Sequence, residues 1–214
     1  MQVLVTGGLG YIGSHTSVLL LEKGYDLVIV DDLSNSNEKV IENISQITSK
    51  VPVFEKIDLK DKESVSKLFN NYDFDGIIHF AAHKSVNESV NYPDKYFKNN
   101  VGSLENIIYE IQKLKKPMNF IFSSSCTVYG QADSMPINEG FELKKAESPY
   151  GQSKRKCEEI LENFHKTGHN FKNITLRYFN PIGAHPTSLI GELPIGIPEN
   201  LVPYITQTAV GKRD

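Results

Sequence analysis

The chain has 214 residues, 39% of them hydrophobic and 23% charged, which suits one packed domain with at most a small appendage and excludes a disordered chain. Its net charge of −3 and pI near 6.1 argue against nucleic acid as a partner, and the densest basic cluster, Lys113–Lys116, falls at a predicted helix end as a solvated face. No apolar run approaches the roughly 18 residues of a membrane span, Met1 leads straight into a predicted strand with no room for a signal peptide, and Cys126 and Cys157 form neither a C-x-x-C pair nor a metal spacing, so a reducing cytoplasm is expected.

The first predicted strand, 2–6, runs directly into the turn Gly7-Gly-Leu-Gly-Tyr-Ile-Gly13, and a predicted helix covers 11–23. Gly7, Gly10 and Gly13 are three apart, and Gly8, Gly10 and Gly13 spell G-x-G-x-x-G. A tight strand-to-helix turn needs backbone angles that glycine visits cheaply, and a pyrophosphate can lie against backbone only where no Cβ intervenes. The helix N-terminus adds N–H donors and a partial positive charge. Alone the motif says little; it must follow a strand, open a helix, and precede an acidic residue at the end of the next strand, about 20 residues on. The second predicted strand, 27–30, ends at Asp31, eighteen positions after Gly13, so a dinucleotide is expected on Gly7, Gly10 and Gly13.

Further along the chain, strands at 52–57, 76–81, 118–123 and 173–178 alternate with helices near 37–48, 61–71, 93–115 and 150–166, with a last helix at about 200–210. This alternation predicts an α/β fold, a Rossmann-type doubly wound parallel sheet. On the helix after Pro93, Phe97, Val101, Leu104, Ile108, Ile111 and Leu114 form a stripe that reads mostly as sheet packing. There is no internal repeat. Prolines at 181, 186, 194, 198 and 203 break up the last stretch. The expected division is therefore a dinucleotide-binding domain at 1–180 and the incomplete start of a smaller substrate-binding lobe at 181–214.

Ligands in such sheets lie beyond the carboxyl ends of the strands. The Asp31 carboxylate can accept both adenosine ribose hydroxyls and would repel a 2′-phosphate, which favours NAD over NADP. Asp32, Ser34, Asn35 and Ser36 follow as a polar loop. After the third strand, Asp58 with Leu59 could accept the adenine amino group or, instead, cap the helix that follows near Asp61. After the fourth come Phe80-Ala81-Ala82, small enough to let a cofactor approach, then His83 and Lys84. The fifth ends in Ser123-Ser124-Ser125. Tyr150 and Lys154 head a helix behind Pro149 and share one of its faces, four residues apart. A free tyrosine titrates near 10, and a nearby ammonium together with an oxidised nicotinamide would favour the phenolate, making Tyr150 a candidate general base. The pair is common by chance and gains weight from the dinucleotide turn and the serine-ended strand. A hydrolase reading finds no G-x-S-x-G, and a metal at His165 and His169 is set aside because Gly168 breaks the helix between them.

Taken together these motifs resemble the extended short-chain dehydrogenase/reductase superfamily and, within it, the UDP-glucose (UDP-galactose) 4-epimerases. The resemblance rests on Gly7-Gly-Leu-Gly-Tyr-Ile-Gly-Ser-His15, His79-Phe-Ala-Ala-His-Lys-Ser-Val86, Asn99-Asn-Val101, Phe122-Ser-Ser-Ser-Cys-Thr-Val-Tyr-Gly130, Pro149-Tyr-Gly-Gln-Ser-Lys154 and Arg177-Tyr-Phe-Asn-Pro-Ile-Gly-Ala184, with Asn200-Leu-Val-Pro-Tyr204 and Ala209-Val-Gly211 further on. It covers the whole chain, and the later motifs are the specific ones.

The resemblance implies tightly held NAD lined by Tyr11, Ile12, Asp31, Asp32, Leu33, Ser34, Asn35, Ser36, Asp58, Leu59, Phe80, Ala81, Ala82, Lys84, Asn99, Ser123 and Tyr178. It implies that Ser125 hydrogen-bonds the sugar 4-hydroxyl, Tyr150 takes its proton, and Lys154 holds the nicotinamide ribose. Phe179, Asn180, Asn200 and Leu201, with Lys84, would meet UDP-glucose or UDP-galactose, and a homodimer would form through a four-helix bundle. The related 4,6-dehydratases and decarboxylases need an added acid or base after the strand-five serine, where this chain has Cys126 and Thr127. An NAD-binding sensor without turnover would lose the Tyr/Lys pair, which is kept. Three departures stand out. Cys126 replaces a common alanine, and Asp32 adds a carboxylate where a neutral residue is common. Family members also continue well past residue 214, so the chain is expected to lack the arginine that meets the diphosphate and the residue that gates acetylated sugars.

Overall fold

The computed structural model describes residues 1–213. In chain order the elements are β1 (Gln2–Thr6), α1 (Tyr11–Glu22), β2 (Asp26–Asp31), α2 (Lys39–Thr48), β3 (Val53–Lys56), α3 (Lys62–Asn71), β4 (Gly76–His79), α4 (Val86–Asn91) and α5 (Pro93–Tyr96). A π-turn (Phe97–Val101), α6 (Gly102–Ile111), β5 (Met118–Ser125), a 3-10 turn (Cys126–Tyr129), α7 (Pro149–Lys166), β6 (Phe171–Tyr178) and α8 (Leu201–Ala209) follow. The sheet has six strands in the order β3-β2-β1-β4-β5-β6, the doubly wound arrangement that the alternation of elements implies.

Two compact units make up the described chain. The first joins Met1–Lys56 to the segment from Asn180 onward. Its strands β1, β2 and β3 pair in parallel, with Leu4 opposite Val28 and Val30 opposite Glu55. Leu4, Val5, Val28, Ile29 and Val30 are fully buried, as expected of parallel strands covered on both faces. Each such side chain contributes about 1.5–3 kcal/mol by leaving water. The segment after Asn180 is pinned within this unit by Tyr11, whose hydroxyl donates to the Gly183 carbonyl at 2.8 Å, and by Asn43 Nδ2, which donates to the Leu189 carbonyl at 2.8 Å.

The second unit, Ile57–Phe179, holds β4, β5 and β6, again paired in parallel. Phe74, Tyr96, Leu104, Ile107, Phe120, Phe122 and Leu161 form its core. β6 is the last strand of the order and keeps Ile174 and Leu176 exposed on one face.

The predicted elements are present, with shifts that have local causes. The helix predicted at 93–115 is α5, a π-turn and α6, ending at Ile111. The wider turn carries Asn99, Asn100 and Val101 inward in succession, which a regular helix lying on a sheet does not do. α4 was not anticipated, although Ser85 caps it by accepting the Glu88 N–H at 3.1 Å, the first half of a capping-box pattern. β4 stops at His79, so Phe80 and Ala81 lie in the loop beyond it, and β5 runs two residues further than predicted, through Ser125.

Candidate active site

Within the first unit the glycine turn is built by packing. Gly7 has φ +65°, and its N–H donates to the Val30 carbonyl at 2.7 Å, tying the turn to the end of β2. A Cβ on Gly13 would lie 2.2 Å from the Gly7 oxygen and 2.8 Å from the Gly8 Cα, so the helix start and the turn touch backbone to backbone. A Cβ on Gly8 would meet Ile29 at 2.7 Å, whereas one on Gly10 would approach only the Gly7 oxygen, at 3.3 Å. α1 begins behind Gly10 with no side-chain cap and no acidic residue in its first turn. α2 and α8 likewise begin without a side-chain cap, whereas α3, α4 and α7 are capped by Asp61, Ser85 and Ser148. The uncapped N-terminus of α1 therefore offers N–H donors and dipole to an anion, which fits a pyrophosphate. Ile12 is half-buried in that first turn.

Asp31 is buried, and its carboxylate joins two loops. Oδ2 accepts the Leu9 N–H at 3.2 Å, while Oδ1 accepts the Leu33 N–H at 3.0 Å and the Ser36 hydroxyl at 2.7 Å. Leu33 takes a positive φ of 62°, and Asp32 Oδ1 accepts both the N–H and the hydroxyl of Ser34, at 2.8 and 2.6 Å. Asn35 is exposed beside them. Burial raises the Tyr11 phenol above its ordinary value, with the negative charge of Glu192 adding to the effect. Asn200 Nδ2 donates to Glu192 at 2.5 Å; Asn180 and Leu201 are exposed.

In the second unit, Asp58 is not the helix cap. Its Oδ1 accepts the Lys60 N–H at 2.9 Å and its Oδ2 pairs with Lys60 Nζ at 3.3 Å, while Asp61 caps α3. Leu59 is buried, and its carbonyl accepts from Asn106 at 2.9 Å. Phe80, Ala81 and Ala82 lie half-buried after β4, and Lys84 is exposed. Asn99 is buried, accepts from Lys60 Nζ at 3.5 Å and donates to the Asn100 side chain at 3.0 Å. Tyr178 ends β6 half-buried, with its phenol raised by burial, and Phe179 beyond it is exposed.

Ser125, Tyr150 and Lys154 come together where the start of α7 meets the end of β5. Ser148 accepts the Gly151 N–H at 3.1 Å, and Gly151 lets the helix approach the turn after β5, since a Cβ there would sit 3.1 Å from the Thr127 carbonyl. The Ser125 hydroxyl accepts from the N–H and hydroxyl of Thr127 at 3.2 and 3.0 Å and favours the phenolate of Tyr150. The Tyr150 ring stands edge-on to Tyr96, with centroids 6.3 Å apart. Lys154 Nζ is buried and donates to the Ser123 carbonyl at 2.7 Å. Burial lowers its pKa to about 8, against the pull of Cys157 and Glu158. The Tyr150 phenol is raised above its ordinary value by burial, with its Ser125 hydrogen bond working the other way. The expected lowering by Lys154 is not among the effects on Tyr150, whose phenol burial and the nearby Cys126 raise.

The profile of the family described as GDP-mannose 4,6 dehydratase matches residues 4–214. The chain belongs to this family. Among its relatives there, a UDP-glucose 4-epimerase of Schizosaccharomyces pombe is 48% identical, over 99% of this chain and 60% of its own length. One of Bacillus subtilis is 47% identical, over 99% of this chain and 62% of its own. A crystal structure of UDP-glucose 4-epimerase from Bifidobacterium longum in complex with NAD+ and UDP matches with a TM-score of 0.96 at 41% identity, covering 100% of this chain and 63% of that one. The enzyme of Stenotrophomonas maltophila, with bound NAD and formylated UDP-arabinopyranose, matches at 0.94 and 45%, with 100% and 63% covered. The chain thus spans about 60% of the length of the curated relatives it matches.

Asn100, Ser153, Glu158 and Arg177, to which the sequence assigns no role, lie beside the Ser125–Tyr150–Lys154 cluster. Asn100 Oδ1 accepts the His83 N–H at 2.8 Å, and its Nδ2 donates to the His83 carbonyl and to Ser153 at 3.1 and 3.0 Å. Ser153 in turn donates to the Tyr150 carbonyl at 2.7 Å. Glu158 accepts the Ser124 hydroxyl at 2.5 Å and pairs with Arg177 at 2.7 Å. Its spacing of four from Lys154 was the available signal.

Proposed function

We propose that this chain carries the cofactor-binding and proton-transfer machinery of an NAD-dependent UDP-glucose 4-epimerase, which interconverts UDP-glucose and UDP-galactose through transient oxidation at sugar C4. The observation that carries the reading is the Ser125–Tyr150–Lys154 cluster, in a chain whose first helix begins uncapped behind a glycine turn. Relatives named UDP-glucose 4-epimerase at 47–48% identity support it.

NAD, when bound, would accept the C4 hydride and return it to the opposite face. Gly7, Gly10, Tyr11, Ile12 and Gly13 would bind its pyrophosphate, Asp31 with the loop through Ser36 its adenosine ribose, and Asp58 with Leu59 its adenine. Tyr150 would take the proton of the sugar 4-hydroxyl, with Ser125 orienting that hydroxyl. Burial, with Cys126 adding to it, holds the phenol high, so a positive charge beside it is required for this role near neutral pH. Lys154 supplies part of that charge, since with a pKa of about 8 it is mostly cationic at pH 7. Lys84, Phe179, Asn180, Asn200 and Leu201 would meet the UDP-sugar. Cys126 and Thr127 offer no carboxylic acid, which weighs against elimination chemistry.

The proposed setting is the cytoplasm and the proposed assembly a homodimer; no helix among the described residues is long and apolar enough to cross a membrane. Mass spectrometry after acid release tests for co-purifying NAD, and a coupled assay tests formation of UDP-glucose from UDP-galactose. Light scattering tests the dimer. Absence of NAD binding by calorimetry would refute the reading at its first step.

A further inference from the structure

Tyr150, Lys154 and Glu158 stand at four-residue steps on one face of α7, and each reaches a different one of three consecutive serines at the end of β5. Tyr150 is paired with the Ser125 hydroxyl, which favours its phenolate, Lys154 donates to the Ser123 carbonyl at 2.7 Å, and Glu158 Oε1 accepts the Ser124 hydroxyl at 2.5 Å. The proposed chemistry uses only the first two contacts. The third is the most heavily built. Arg177 lies opposite Ser124 in the β5–β6 ladder and gives Nε and Nη2 to the same carboxylate, at 3.0 and 2.7 Å. Its guanidinium also lies over the Tyr129 ring, 4.8 Å from the centroid. The side chains of Glu158 and Arg177 are only 12% and 21% exposed, so this is a largely desolvated pair. Such pairs are often no more stable than well-packed apolar side chains of similar volume, which turns attention from stability to orientation.

We propose that Glu158 is a positioning residue for the proton transfer. Held by Arg177, it clamps Ser124 and so fixes the strand end that presents the Ser125 hydroxyl to Tyr150 and the Ser123 carbonyl to Lys154. It also sets a negative charge one helical turn from the Lys154 ammonium. The identity of the proton transferred rests on the epimerase reading; the geometry does not.

The groups facing Lys154 set the sign of the charge effect. From its own helix come Cys157 and Glu158, both favouring the ammonium, and from β4 comes His79, whose pKa is lowered to about 3 by burial and which is therefore neutral near pH 7. β5 offers no charged group, only the Ser123 carbonyl at 2.7 Å and the Phe122 ring 5.0 Å away; Glu105 of α6 acts on Cys157, and Arg177 of β6 is already paired with Glu158. Removing the Glu158 charge leaves burial less opposed, so Lys154 loses its proton at lower pH.

The test compares the NAD-loaded enzyme with E158Q, E158D and S124A. It reads kcat and KM for UDP-galactose, and the titration of Lys154 by nitrogen NMR of the lysine side chains, with K154M identifying the signal. E158Q should lower kcat by roughly tenfold to a hundredfold, the scale of a misplaced reacting group, with KM little changed. It should also move the Lys154 titration to lower pH by roughly half a unit or more. S124A keeps the charge, so it should lower kcat while leaving that titration in place; it also stands in should E158Q fail to fold. E158D should restore the titration. Unchanged kcat with an unmoved Lys154 titration in E158Q, even alongside a lower Tm, would overturn the proposal by reducing the pair to a structural staple. Failure of the unmodified protein to bind NAD would instead refute the epimerase reading, and the titration would still decide what Glu158 does to Lys154.

Discussion

Lys154→Met should stabilise the protein while removing its activity, and the size of the stabilisation should depend on pH. Burial lowers the Lys154 pKa from 10.5 to about 8. The unfolded chain keeps that proton up to 10.5 while the folded chain gives it up near 8, so unfolding takes up a proton between those values and stability rises with pH across the window. At about 1.4 kcal/mol per pKa unit, keeping the ammonium buried costs about 3 kcal/mol at pH 7, of which about 1 kcal/mol is recovered by pH 9. Met carries no proton and has no such cost. Its altered packing and the lost bond to the Ser123 carbonyl weigh equally at both pH values and cancel in the comparison. The advantage of the variant over the unmodified chain should therefore shrink by about 1 kcal/mol between pH 7 and pH 9. The Cys157 thiol, pushed up to about 12 by burial, pulls stability the other way above its unfolded value of 9.0, which sets the upper end of the window. The chain has no tryptophan, so far-UV circular dichroism is the natural probe of urea unfolding. With a urea slope of about 1–3 kcal/mol per molar, the gap between the two midpoints should narrow by about 0.3–1 M. A gap that stays constant or widens from pH 7 to pH 9 would refute the reasoning.

Three other outcomes are expected. Tyr150→Phe should leave NAD bound and cut kcat by about two orders of magnitude, the usual scale for a positioned proton transfer; turnover close to wild type would remove Tyr150 from the mechanism. Asp31→Ala breaks three hydrogen bonds and orphans the buried Leu9 N–H, so it should cost about 2–5 kcal/mol in urea unfolding. Because it also removes the charge that would repel a 2′-phosphate, it should narrow the preference for NAD over NADP in calorimetry, and an unchanged ratio would count against that role. Gly13→Ala drives a Cβ to 2.2 Å from the Gly7 oxygen, a backbone clash that no side chain can relieve. NAD affinity should collapse in that variant and survive better in Gly10→Ala, where the nearest atom is 3.3 Å away; equal effects would mean the turn is not held by packing.

The fold was legible because its signals are local and repeated. Runs such as Leu27-Val-Ile-Val30 can only be strands covered on both faces, and Gly7 to Gly13 is a turn that few other sequences tolerate. The cluster of Ser125, Tyr150 and Lys154 was legible for the same reason, since a four-residue step fixes a shared helix face before any tertiary contact is known. The misses lie where a local rule yields to a distant partner. Nothing near Asn99 and Asn100 predicts a wider helical turn; the reason for it is the His83 backbone and Ser153, 17 and 53 residues from Asn100. Asp58 was weighed as a cap because two aspartates precede α3, and only the bond from Asp61 to the Glu63 N–H separates them. The start of α4 at Ser85 with Glu88 was within reach of sequence rules and went unread.

Several polar groups of the Ile57–Phe179 unit, buried or largely so, follow one pattern. Lys154, Glu158 with Arg177, and Asn100 with Ser153 are each buried at a cost that apolar side chains would avoid. All of them gather where α7 faces the π-turn and the end of β5, and each contact orients something beside Tyr150: Ser153 its carbonyl, Lys154 the Ser123 carbonyl, Glu158 the Ser124 hydroxyl. A core selected for stability alone would dispense with such a network, whereas a site that moves protons needs groups locked at fixed distances in a medium where charge is felt strongly. This buried polarity around one phenol therefore supports the proposed proton transfer independently of any motif. It also explains why Tyr150 and Lys154 are legible in the sequence while Glu158 and Asn100 are not, since Asn100 meets Ser153 and Glu158 meets Ser124 across many residues.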